Sequence, residues 1–159
     1  MKKLFFCIFF FLLLTHVQAQ NGQTWMFGPM VHVNFGGEKT SVSYALEFSY
    51  WNYRSFPYSF DFAFELEKGK MRIYSEAQTG VGFAGIAAGP VLEYSSIAQK
   101  LNLGFQGSVW GNYFWGFDMR VRNVGGETYF SPGTYLKLPT AIFTSEFYEN
   151  NNSSGWDWD

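Results

Sequence analysis

Through residues 41–50 the chain alternates without a break. Val42, Tyr44, Leu46, Phe48 and Tyr50 share one parity, and Ser41, Ser43, Ala45, Glu47 and Ser49 take the other. Residues 58–67 repeat the pattern, with Tyr58, Phe60, Phe62, Phe64 and Leu66 set against Ser59, Asp61, Ala63, Glu65 and Glu67. Successive side chains of a strand point to opposite faces, so both stretches predict strands with one bulky apolar face and one small or charged face. No segment shows the i, i+3, i+4, i+7 recurrence of an amphipathic helix sustained over several turns.

The same reading extends along the chain. Trp25, Phe27, Val31, Val33 and Phe35 oppose Met26, Gly28, Met30, His32 and Asn34. Leu101, Leu103, Phe105 and Val109 oppose Asn102, Gly104, Gln106 and Ser108, and Trp115, Phe117, Met119 and Val121 oppose Gly116, Asp118, Arg120 and Arg122. Phe130, Leu136 and Leu138 oppose Tyr129, Gly133, Tyr135 and Lys137. Turn-forming residues collect between these runs, at 36–39, 53–55, 68–70, 95–100, 111–112 and 124–126. Residues 71–94 are too long for one strand and need a reversal near 82–85. The prediction is eight strands of about eleven residues joined by short hairpins, an all-β antiparallel up-and-down barrel. A two-residue turn at Gly111 and Asn112 would pair Trp110 with Tyr113, which lie on opposite faces, so a bulge or a longer turn is expected there.

One motif invites another interpretation. Gly80, Gly82 and Gly85 have the G-x-G-x-x-G spacing of a dinucleotide-binding turn. That turn needs a helix after it, whereas Ala84, Ile86, Ala88, Pro90 and Leu92 continue to alternate with Gly85, Ala87, Gly89 and Glu93. The glycines are read as a hairpin and as room on a crowded inner face.

Composition adds the compartment. Lys2 and Lys3 precede an apolar run at 4–14, and Ala19 closes a small-residue cleavage pattern, so 1–19 is expected to be a secretory signal peptide. The only cysteine, Cys7, lies within it; the exported chain would carry no disulfide, thiol nucleophile or cysteine metal site. Losing the two lysines leaves acidic side chains in excess, which argues against a nucleic-acid partner. We expect the barrel to occupy 20–142 and an acidic, Asn- and Ser-rich tail, flexible in character, to occupy 143–159.

The aromatic fraction is 22%, and it decides which face points in. Eight strands enclose a space just wide enough for side chains to fill, and the aromatic parity is too bulky for it. The small and charged parity fits, so the aromatic face looks out, which lipid tolerates and water does not. With this pattern the chain resembles the small eight-stranded outer-membrane barrels of Gram-negative bacteria, the class of the outer-membrane protein A transmembrane domain. It departs from that class in its short loops and polar tail. The resemblance implies an outer-membrane location, contact with outer-membrane lipid and with the barrel-assembly machinery, and a monomeric barrel. An even strand number puts both ends on the same side, and the resemblance implies that this side is the periplasm. The turns at 36–39, 67–70, 95–100 and 123–127 then face the exterior. They hold Glu38, Lys39, Glu67, Lys68, Lys70, Lys100 and Glu127, while the other set holds only Arg54.

The inward parity defines the candidate site. It carries Glu47, Asp61, Glu65, Glu67, Glu76, Glu93 and Asp118 together with Arg72, Arg120, Arg122, Lys137 and His32. Buried charges are costly unless paired, so these residues are read as a polar plug that rigidifies the barrel. No catalytic residue, cofactor or metal is expected. The function read from the sequence is a non-enzymatic barrel with a structural or interaction role, its tail free to meet a periplasmic partner. The alternative is a soluble lipocalin-like barrel holding a hydrophobic ligand inside an aromatic lumen. A third reading, an outer-membrane enzyme modifying lipid A, would have to use His32 with Ser49 or Ser131.

Overall fold

A computed structural model describes residues 23–37, 39–53, 56–81, 83–112 and 114–139. The expected signal peptide and the acidic tail lie outside the described residues. The strands are β1 (Gln23–Asn34), β2 (Ser41–Asn52), β3 (Tyr58–Glu67), β4 (Lys70–Val81), β5 (Ala84–Ser95), β6 (Lys100–Gly111), β7 (Trp115–Val124) and β8 (Glu127–Leu136), which resumes past Lys137 as β9 (Leu138–Pro139). Each pairs antiparallel with the next, and the sheet closes on itself. β1 meets β8 at Met30↔Tyr135, Val31↔Thr134 and His32↔Gly133, and meets β9 at Met26↔Pro139 and Phe27↔Leu138. The fold is an eight-stranded up-and-down barrel with no free edge.

The alternation seen in the sequence becomes the two faces of the wall. Tyr44 is 64% exposed, Phe60 59%, Leu103 74% and Trp115 62%, and all four lie on the outer surface. Trp25 and Tyr50 pair across β1 and β2 with ring centroids 5.0 Å apart. A soluble barrel with an aromatic lumen, the alternative drawn from the sequence, would need these faces exchanged.

The pairing gives the detail of two turns that the sequence reading located. Strands β4 and β5 close on each other with Val81 opposite Ala84 and Gly80 opposite Gly85. A Cβ on Gly80 would come 2.7 Å from Trp110 Cζ2, and one on Gly85 would come 2.3 Å from it. The glycine pair is thus a shelf on which the Trp110 indole rests inside the barrel. Between β6 and β7 the turn is longer than two residues, since Gly111 pairs with Phe117 and Trp110 with Asp118. That keeps Trp110 on the inner face and removes the parity conflict.

The ladder breaks at two places on opposite sides of the ring. Pairing between β4 and β5 skips Ser75 and Glu76 opposite Gly89 and Pro90. Pairing of β1 with its neighbour skips Gly28 and Pro29 opposite Leu136 and Lys137. Proline donates no ladder hydrogen bond, and the preceding glycine lets the neighbouring backbone come close. A Cβ on Gly28 would lie 1.6 Å from the Leu136 carbonyl oxygen, and one on Gly89 1.8 Å from that of Ser75. Glycine kinks of this kind bend strands into small closed barrels. Freed from β1, the Lys137 amide donates to the Phe114 carbonyl at 2.6 Å.

Candidate functional site: the charged interior

The inward parity stacks into layers along the barrel axis. The layer nearest the β3–β4 turn is built on Arg72 and Arg122. Arg72 Nη1 lies 2.6 Å from Glu65 and 2.5 Å from Glu67, and its Nε lies 2.7 Å from Glu93. Arg122 holds Glu65 with both terminal nitrogens, at 2.9 and 2.8 Å, and gives its Nε–H to Gln106 at 2.7 Å. Lys70 closes this end by donating to Tyr129 at 2.5 Å and lying 3.4 Å from Glu127. Fork-to-fork guanidinium–carboxylate pairs are among the stronger charge-assisted contacts.

Tyr74 separates this layer from the next. The Arg120 guanidinium carbon packs against its ring at 4.4 Å, and that of Arg122 lies 5.7 Å from the ring centre. Below it, Arg120 Nη2 lies 3.2 Å from Asp118, 3.3 Å from Glu76 and 3.9 Å from Glu47. Lys137 contacts Glu47 directly and lies 3.4 Å from Asp61. Asp61 also accepts from Ser59 at 2.6 Å and from Gln78. His32 Nε2 lies 2.9 Å from Asp118 Oδ1. Glu47, Asp61, Glu65, Glu76, Glu93, Asp118, Arg72, Arg120, Arg122, Lys137 and His32 are all buried. The structure therefore brings these residues into two adjoining networks and leaves none of them on the outer surface.

A third layer is apolar. Trp51 and Trp110 meet edge to face at 5.5 Å, Trp51 stacks on Tyr53 at 5.4 Å, and Met26, Met30 and Tyr135 pack with them. This cap stops the lumen at the end carrying the β2–β3, β4–β5 and β6–β7 turns. The sequence reading did not single out Trp51 or Trp110 as interior residues. Their parity, shared with Ser49 and Ser108, is the signal that places them there.

Of the two serines, Ser131 lies two positions from Gly133, the residue that pairs with His32, and each hydroxyl has its own surroundings. Ser49 donates to Glu47 at 3.3 Å, while His32 is engaged with Asp118. Ser131 is buried in the wall opposite Arg120. Among the described residues, no group of three or more His, Cys, Asp or Glu side chains is placed to hold a metal ion. No described helix is long and apolar enough to cross a membrane.

No protein-family model matches the chain, and no curated protein matches it. Its likenesses are structural. A chain reported under the de novo design of transmembrane β-barrels superposes with a TM-score of 0.52 at 10% identity, over 72% of this chain and 95% of the other. The NMR solution structure of a second de novo designed barrel gives a TM-score of 0.52 at 7% identity, over 75% of this chain and 98% of that one. The KdgM porin in complex with disordered oligogalacturonate covers 72% of this chain at 12% identity with a TM-score of 0.25. The two designed barrels share this protein's architecture, a closed antiparallel β-barrel of the transmembrane type.

Proposed function

We propose that the protein is a non-enzymatic outer-membrane β-barrel with a structural or interaction-bearing role and a sealed interior. One observation carries this reading: the apolar belt is outside and the ion-pair network is inside. A wall that exposes Tyr44, Phe48, Phe60, Phe62, Phe64, Leu103 and Phe105 to its surroundings suits lipid and penalises water. The lumen is filled by paired charges and closed at one end by tryptophans, so its interior works as a brace.

Outer-membrane lipid is then the barrel's solvent, and the barrel-assembly machinery the partner that inserts it. The chain acts as a monomer, with 1–19 removed on export and 143–159 left in the periplasm to meet a partner there. Nucleic acid, metal and cofactor have no part in this reading. The test is electrical. Purified protein inserted into planar lipid bilayers should give no stable unitary conductance in molar potassium chloride. Regular, voltage-independent steps would show an open pore and overturn the sealed interior.

A further inference from the structure

Between the lower charged layer and the tryptophan cap lies a small chamber. Met30, Glu76, Ser108, Trp110, Asp118 and Arg120 contribute to its walls. The centre of a water-sized sphere sweeps about 10 Å³ within it, about the least that holds one water molecule. The walls are short of hydrogen bonds. Glu76 Oε1, Arg120 Nε and Arg120 Nη1 find no hydrogen-bond partner among the described residues, although Glu76 and Arg120 are each only 2% exposed. Asp118 Oδ2 meets Arg120 as an ion pair at 3.2 Å but accepts no hydrogen bond.

The chemistry of these atoms selects the occupant. Arg120 and Lys137 in its walls would repel a cation, and Glu47, Asp61, Glu76 and Asp118 would repel an anion. The space admits a single small sphere that must both accept and donate, and apolar matter would leave every one of these groups unsatisfied. We propose that the chamber is a binding site for one water molecule, which accepts from Arg120 and donates to Glu76 and Asp118. So placed, the water joins β4 to β7 across the lumen and helps hold the Arg120 guanidinium against Tyr74. Buried waters with two to four polar partners are integral to the structures that hold them, and this one would belong to the barrel in detergent or lipid alike.

Two measurements on the full-length refolded protein test the site. In crystals grown with rubidium bromide and diffracting beyond about 2 Å, one water should lie within hydrogen-bond distance of both Arg120 and Glu76. A dry chamber, or an anomalous peak from rubidium or bromide there, would overturn the proposal. The second measurement compares Ser108→Ala with Ser108→Val. Both lose the hydroxyl and differ only in the bulk they push toward the chamber. Displacing a bridging water should lower the urea midpoint of the Val variant below that of the Ala variant. A Val midpoint equal to or above the Ala midpoint would mean that an empty void had been filled. If the Val variant fails to fold, the crystallographic measurement on the unsubstituted protein decides alone.

Discussion

Glu65 sits where two arginines converge, and its burial makes it the most exacting single position in the lumen. Removing one partner of a buried charge network leaves the others uncompensated, at about 3–5 kcal/mol. Glu65→Gln should therefore lower stability by about that much in a urea titration followed by gel mobility, and a loss below about 1 kcal/mol would mean the network is solvated. Phe62, 52% exposed on the middle of β3, tests the other face. Phe62→Arg should cost about 2–4 kcal/mol in lipid vesicles, while Phe62→Leu stays under about 1.5 kcal/mol. Equal tolerance of the two would mean that Phe62 does not face lipid. Parity alone brought the inward charges out of the sequence. It could also pair Glu65 with Arg72, since the two face each other across the β3–β4 hairpin. The bond from Arg122 to Glu65 spans 57 positions and crosses the lumen, so no local pattern records it.

At the scale of elements, strand existence was legible because one face is apolar and the period is two. Strand ends and interruptions were less so. The alternation ran through Gly89 and Pro90, but nothing in it showed that the ladder breaks there and the Ser75 carbonyl closes in on Gly89. Backbone proximity is what the sequence cannot display. It yields a contrast between two glycines of neighbouring strands. Gly89→Ala drives a methyl group into the Ser75 carbonyl, and should lower stability by about 1–3 kcal/mol or prevent folding. Gly107→Ala meets only the Ala87 carbonyl oxygen at 3.5 Å, an ordinary contact, and should change stability by less than about 0.5 kcal/mol. Urea midpoints of the two variants, measured side by side, would contradict the kink if the order were reversed. The β6–β7 connection makes a related point. A parity conflict in the sequence already required extra residues there, and the pairing of Gly111 with Phe117 supplies them.

At the scale of the whole molecule, closure of the sheet turns local alternation into a cylinder with an apolar outside and a charged inside. The proposed outer-membrane reading gives that cylinder a direction. If both ends are periplasmic, a cysteine placed at Lys68 should react with a membrane-impermeant thiol reagent on intact cells. Cysteines at Asn112 and Ser154 should react only after the outer membrane is permeabilised. Labelling of Ser154 but not of Lys68 on intact cells would invert the orientation. The most direct test concerns what surrounds the belt. Protein refolded into phospholipid vesicles should migrate as a compact band on a cold gel, shift to its unfolded position after boiling, and resist protease while in the vesicles. Diluted from urea into buffer without lipid or detergent, it should fail to fold and should aggregate. A monomeric, folded and soluble protein in plain buffer would contradict the membrane-spanning barrel.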